Sequence, residues 1–198
     1  MRQEDREEMK RLYDDSPDTI GAWGEIITAS TLRNELEIPV IQTLYVGGSQ
    51  IDMVAISPYG VFVIENKNYH GVVLGYTKAQ YWRVYYSRDQ WHKLYNPVMQ
   101  NRKHRQDIVS LLELMGYGYV NVYCPVIFND FAALRIHGGN RVVYNLSDFV
   151  SRYKGYYQWP ILGNSVLNSL EELFRKFQDR SDEAKMKHIS QFRNGKFA

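Results

Sequence analysis

The chain has 198 residues, 44% of them hydrophobic, and 24 Lys and Arg against 22 Asp and Glu leave a formal net charge of +2. That is enough apolar material for one sizeable core, and so balanced a charge excludes a strong overall field toward nucleic acid or membrane, leaving such partners to local patches. The single cysteine, Cys124 in "VNVYCPVIF", excludes an internal disulfide and a cysteine-rich zinc site and reads as a reduced core thiol.

The opening "MRQEDREEMKRLYDD" is charged and lacks the apolar centre of a signal peptide. No apolar run approaches the roughly 18 residues of a membrane helix. A soluble, cytoplasmic protein is expected, with residues 1–19 as a charged arm or helix. Ser16-Pro17 has the form of a helix cap followed by a first-turn proline. Ala22, Trp23, Ile26, Ile27, Ala29, Leu32 and Leu36 recur at helical spacing up to Pro39.

Strands are predicted over 40–46, 50–56 and 61–67, the first two joined by Gly47-Gly48, and "GVVLGYTKAQYWRVYY" reads as an aromatic hairpin. Asn96-Pro97 starts a helix that runs to about 115 and stops near Gly116. Residues 120–128 read as a buried strand. "LRIHGGNRVVY" reads as a small hairpin with Gly138-Gly139 at its tip. Helices over "LSDFVSRY" and 164–178 close the pattern, and the stretch from 179 is a polar, basic tail. Helix, three strands, hairpin, helix, strand is an α/β layout with a mixed sheet.

Three charges interrupt the apolar strands of "QIDMVAISPYGVFVIENKNY": Asp52, Glu65 and Lys67. Ser57-Pro58-Tyr59-Gly60 fits a type I turn. A two-residue loop sets Ser57 against Gly60 and therefore Asp52 against Glu65, their Cβ atoms about 4.5–5.5 Å apart. A bulge at Gly60 would make them diagonal neighbours instead. Alternation places Lys67 on the face of Glu65. Facing carboxylates repel unless a hard divalent ion such as Mg²⁺ or Mn²⁺ sits between them; the other reading is an exposed sheet face with an ordinary ion pair. Glu25 borders the apolar stripe of the first helix. Gln100 shares a line with Ile108, Leu111 and Met115, so two polar side chains on flanking helices point toward the same core.

"GAWGE" (21–25), "QIDMVAISPYGVFVIENKNYHG" (50–71) and "NPVMQN" (96–101), in this order and spacing, resemble the NERD domain, the nuclease-related domain of the PD-(D/E)XK superfamily. The resemblance covers about residues 20–130. It implies a restriction-endonuclease-like mixed sheet flanked by helices, with the charged antiparallel hairpin at its centre and 20–178 as a single nuclease-related domain. It further implies Asp52 and Glu65 as ligands of Mg²⁺ or Mn²⁺, joined by the backbone carbonyl of Asn66. Lys67 would position or help deprotonate the attacking water, and Glu25 would hold a metal-bound water or a second metal. Gln100 would brace the site or contact substrate. Ile51 stands where the superfamily name has proline, and the chain has no CxxC pair for a zinc ribbon.

Arg102, Lys103 and Arg105 in "NRKHRQ" are candidates for phosphate contact, against the alternative of a solvated helix face. His104, on the Gln100 side, reads as a boundary histidine, and His70, His92, His137 and His188 have no zinc-ligand spacing. Tyr69, Tyr76, Tyr81, Trp82, Tyr85, Tyr86 and Trp91 suit either base stacking or cross-strand packing, and packing is the expected role. "GYG" at 116–118 ends a helix and is a turn, not a phosphate cradle. The expected function is metal-dependent phosphodiester hydrolysis, on DNA in preference to RNA. A non-catalytic nucleic-acid-binding module and a protein-interaction scaffold are the alternatives.

Overall fold

The computed structural model describes residues 17–138, 141–156 and 160–178. The expected N-terminal arm, the Ser16 cap, the hairpin tip at Gly139 and the basic tail lie outside the described residues. Helix α1 (Pro17–Leu36) leads into β1 (Val40–Val46), β2 (Ser49–Ser57) and β3 (Gly60–Lys67). Then come β4 (Gly71–Tyr76), β5 (Tyr81–Tyr85), β6 (Trp91–Tyr95) and α2 (Pro97–Leu114). The order ends with β7 (Val122–Tyr123), β8 (Val126–Phe128), β9 (Ala132–His137), β10 (Val143–Asn145), α3 (Leu146–Tyr156) and α4 (Asn164–Arg175). No helix among the described residues is long and apolar enough to cross a membrane.

Two mixed sheets form where one was expected. The larger runs β1-β2-β3-β8-β10 with β7 also on β3, and the smaller runs β6-β5-β4-β9. Helices cover both faces of the larger sheet. Val54, Ile56, Val61 and Val63 pack with α2 and α4 through Ile108, Leu112, Leu170 and Phe174. The alternate residues Met53, Ala55, Phe62 and Ile64 pack with α1 and α3 through Ala29, Leu32, Phe149 and Tyr153. Burial on both faces explains why β2 and β3 read as continuous apolar runs. The layout is consistent with a restriction-endonuclease-like fold.

The two-residue loop after β2 forms as expected, with Ser57 against Gly60 and Met53 against Ile64, so no bulge shifts the register. Gly60 has φ +140°, and a Cβ there would lie 2.4 Å from the Asn121 carbonyl. Only glycine lets β3 start so close to the chain that leads into β7.

Four expectations change. The 120–128 run is two short strands, β7 and β8, because Pro125 has no N–H to donate to a ladder. The expected 134–144 hairpin does not form: β9 pairs in parallel with β4, and β10 pairs in parallel with β8 in the other sheet. Residues 91–95, given no element from sequence, are β6, antiparallel to β5. Cys124 is half-buried, not a core thiol; burial pushes its thiol up against the opposing pull of Arg105 and Arg102.

The α2 cap does more than the sequence implied. Asn96 Oδ1 accepts from the Val98 and Met99 N–H groups, while its Nδ2 donates to the carbonyls of Thr77 and Ala79. One fully buried amide thus starts the helix and fastens it to the β4–β5 turn. Asn96→Ala loses the cap and leaves two carbonyls without their donor. The expected cost is about 2–3 kcal/mol, a fall in Tm of roughly 4–12 °C, measured by thermal melting.

Candidate functional site

Strand β3 changes partner midway. Its first half pairs antiparallel with β2 as far as Met53 and Ile64. Its second half, Glu65 to Lys67, pairs in parallel with Val126 to Phe128 of β8. The N–H and C=O of one strand residue leave by the same edge, and successive residues alternate edges. The Glu65 N–H donates to the Pro125 carbonyl at 3.2 Å, and the Lys67 carbonyl accepts from Asn129 N–H at 3.3 Å, so both face β8. Asn66 must face β2, which has already turned away. Its N–H is taken by the Asp52 carboxylate, Oδ2 at 2.8 Å, and its carbonyl is directed to the same gap.

The pleat of β1 and β2 changes face at this point. In the ladder, Gln42 pairs with Met53 and Leu44 with Ile51, leaving Thr43 opposite Asp52. Thr43 has φ +54°, a strained value for a β-branched residue. Ile41 and Leu44, three apart, both pack with the α2/α4 cluster, as do Ile51 and Val54. Strict alternation would forbid both pairs. The step frees Asp52 from the pleat so that its carboxylate reaches sideways to β3.

Lys67 Nζ lies 2.5 Å from Glu65 Oε1, and His104 Nε2 lies 3.4 Å from Glu65 Oε2. Glu65 is fully buried, Lys67 is 19% exposed and Asp52 is half-buried. Burial, then the charge of Glu65, pushes the Asp52 carboxyl up to about 7, against Lys67, the Asn66 N–H and His104. Burial also works to raise Glu65, but the Lys67 charge, the neighbouring His104 and the Lys67 hydrogen bond outweigh it and hold Glu65 low. Lys67 is disfavoured by burial, yet Glu65 and Asp52 hold its pKa above the ordinary lysine value.

The helices complete the surround. Thr28 of α1 donates to Asn66 Oδ1 at 2.7 Å. Gly24 lies so close to Asn68 that a Cβ would come within 2.4 Å of the Asn68 side chain, which sets α1 against the end of β3. Glu25 follows Gly24, half-buried, one turn before Thr28. From α2, Asn101 Nδ2 donates to the Val63 and Pro125 carbonyls at 3.0 and 2.8 Å, clamping β3 beside β8 where the partner changes. Thr28 and Asn101 went unassigned from sequence. His104, expected at the boundary, is buried and turned to Glu65. Gln100 is half-buried one turn before His104, and Met115, expected on its inward line, is exposed. Arg102 and Lys103 are exposed, whereas Arg105 Nε donates to the Val122 carbonyl at 2.9 Å.

Among the described residues no three His, Cys, Asp or Glu side chains converge as a ready metal cluster, so Glu25 does not join Asp52 and Glu65 in one set. The pair nonetheless suits a hard cation with the remaining positions filled by water. Glu65 Oε2 is buried without a hydrogen-bond partner. The neighbouring Asp52 is disfavoured as an anion, and the Asn66 carbonyl faces the same gap. All three are the oxygen donors that Mg²⁺ and Mn²⁺ select.

The raised Asp52 carboxyl has a definite pH signature. Between about pH 4 and 7 the native chain keeps a proton there that the unfolded chain has lost. Metal-free stability should therefore fall as pH rises through that window, with the penalty complete above 7. Asp52→Asn keeps an acceptor for the Asn66 N–H and removes the charge. In EDTA at pH 8 it should melt at or above wild type, by up to about 4 kcal/mol, and the gain should vanish near pH 4. Asp52→Ala, which also loses the acceptor, should lack that gain. Melting curves of the three proteins across pH measure this.

The family described as nuclease-related domain, NERD, matches residues 20–129. An uncharacterised protein of Bacillus anthracis is 40% identical over 73 residues, which is 37% of this chain. The aligned region spans only about a third, 34%, of that relative's length. No solved structure matches the chain. With more than half of the chain inside the family match, from the Gly24-Glu25 helix to the end of β8, this protein belongs to the nuclease-related domain family.

Proposed function

We propose that this chain is a divalent-metal-dependent nuclease that hydrolyses phosphodiester bonds, with DNA as substrate in preference to RNA. The observation that carries the reading is the meeting of Asp52, Glu65 and Lys67 where β2 and β3 part, with a buried Glu65 oxygen that makes no hydrogen bond and has His104 3.4 Å away, and a disfavoured Asp52 anion. Asp52, Glu65 and the Asn66 carbonyl would hold Mg²⁺ or Mn²⁺. Such an ion, when bound, supplies charge neutralisation at the phosphate and a water acidic enough to attack near neutral pH.

The chain's own residues do the rest. Lys67 presents a fixed positive charge beside the carboxylates, where it stabilises the charge that builds on the phosphate and orients a water. His104 holds Glu65 from the α2 side, and Thr28 holds Asn66 from the α1 side. Glu25 would retain a water or a second ion, and Gln100 would contact substrate. Arg102 and Lys103, exposed on the first turns of α2, together with the outer end of Arg105, would meet phosphates.

A panel of single-stranded, double-stranded and branched DNA plus RNA, with Mg²⁺ or Mn²⁺, tests the activity. Cleavage of a DNA substrate should require the ion, and Lys67→Ala should lower turnover by about 10²–10³-fold. Wild-type turnover in that variant would remove lysine from the mechanism. Binding across the panel without cleavage would favour a non-catalytic module.

Metal binding can be read without a substrate. At a free Mn²⁺ concentration about ten times its Kd, linkage contributes roughly 1.4 kcal/mol, a rise in Tm of about 3–6 °C. Asp52→Asn and Glu65→Gln should each lose most of that rise. Equal rises in wild type and both variants would mean that these carboxylates do not hold the ion.

A further inference from the structure

The smaller sheet buries only one of its faces. Val73, Trp82, Val84 and Leu94 point inward against Val98, Val126 and Phe128. Trp82 is there as core, its Nε1 donating to the Tyr76 carbonyl at 3.0 Å. The alternate residues form an outer face open to solvent.

The register arranges that face in rows. Trp91, Tyr85 and Val72 are cross-strand neighbours in one row. Lys93, Arg83, Leu74 and Arg135 run across all four strands in the next. Tyr95 pairs with Tyr81, and Tyr76 with His137, at the far end. Trp91 is 51% exposed and Tyr76 49%. Neither Asp nor Glu occurs in any of the four strands, in a chain whose acids and bases nearly balance. The cations already lie against the rings: Lys93 Nζ is 3.6 Å from the Tyr81 ring centre and the Arg83 guanidinium 5.1 Å from that of Trp91. Beside the first row, Val72, Leu74, Tyr85 and Tyr86 line a shallow depression of about 370 Å³ with Arg88 at its edge.

The geometry points to this face as a platform for single-stranded nucleic acid, on which unpaired bases stack against Trp91, Tyr81 and Tyr95 while Arg83, Lys93 and Arg135 meet the phosphates. Flat rings interleaved with cations, free of carboxylates, complement a polyanion that carries exposed π-faces. A duplex keeps its bases stacked inside and offers these rings nothing. A row of three cations disfavours an apolar protein face as the partner, because it would leave those charges buried without counter-charges. The platform is also near the carboxylate site. Only Asn68, Tyr69 and His70 separate Lys67 from β4, so Lys67 and Val72 lie within about 18 Å. The Tyr69 ring is 5.0 Å from that of His92, the neighbour of Trp91. The platform concerns binding and stands whether or not the chain cuts.

The test is fluorescence anisotropy of the full chain in EDTA, with labelled single-stranded DNA and RNA of about 16 nucleotides and the matching duplex. Single strands should bind at least about tenfold tighter than duplex, and Trp91→Ala and Tyr81→Ala should each weaken them by about 5–100-fold. Trp91→Phe should retain most of the affinity and Trp91→Leu should not, which separates stacking from loss of fold or of apolar area. Arg83→Ala with Lys93→Ala should flatten the log–log salt dependence by about 1.4. Equal affinity for duplex and single strand, with no effect of the ring variants, would overturn the proposal. So would ring variants that turn a dimer into a monomer in sedimentation while single-strand binding stays intact, since the face would then be a self-association surface. Asp52→Asn, run in parallel, should keep the EDTA binding and lose any Mn²⁺-dependent cleavage. A chain that binds single strands through Trp91 yet cuts nothing keeps the platform and refutes the nuclease. One that cuts at wild-type rate without Trp91 and Tyr81, and binds unchanged, does the reverse.

Discussion

One strand whose partners change along its length governs this structure. β3 is antiparallel to β2 in its first half and parallel to β8 in its second, so some buried backbone groups have no strand to answer them. A buried amide without a partner is costly, and side chains take up the difference. Asp52 accepts from Asn66, and Asn101 donates to Val63 and Pro125. Asn145 gives the same service to Asn129 and Ala132 near the β8–β9 connection. The charged cluster is thus where the sheet's hydrogen-bond ladder is interrupted, and the carboxylate positions follow from that interruption.

The charges show which demand prevails. A core selected for stability alone would place apolar side chains at the end of β3, since buried ion pairs seldom outperform a good hydrophobic fit. Here Glu65 is fully buried with a hydrogen bond to one oxygen only, and burial, then the charge of Glu65, raises the pKa of Asp52. Thr43 accepts a strained backbone opposite Asp52. Strain and repulsion gathered at one spot, within well-packed surroundings, are what the proposed chemistry would ask of the fold.

What the sequence disclosed was mostly local. The β2–β3 register from Ser57 against Gly60 to Met53 against Ile64 followed from Ser57-Pro58-Tyr59-Gly60, though the ladder stops one pair short of Asp52 and Glu65; the α2 start followed from Asn96-Pro97, because turns and caps are decided within a few residues. The family, and with it the mixed α/β character, was legible in short motifs around those same elements. What stayed hidden depends on residues far apart in the chain. The parallel pairings of β3 with β8 and β4 with β9 leave no turn to read. The 134–144 stretch imitated a hairpin because Gly138-Gly139 is a strong turn signal, although its two halves belong to different sheets. Asn101 and His104 were obscured by Gln100: the inward face of α2 is rotated from the line drawn through Met115, which is exposed. Thr28 looked like any helix residue until Asn66 was placed against it.

The divided β3 also sets an order of assembly. The β2–β3 hairpin needs only neighbouring residues and can close as soon as Gly60 turns the chain. The second half of β3 must wait for Val126 to Phe128, which arrive after two further hairpin strands, β6 and the whole of α2. Long-range parallel pairing of this kind is slow, because loop-closure entropy is spent before the contacts return it. Until β8 docks, Glu65 and Lys67 lack the strand that buries them, and the carboxylates are not yet gathered beside Asn66. The folding pathway itself therefore withholds the cluster from any chain that has not finished its central sheet.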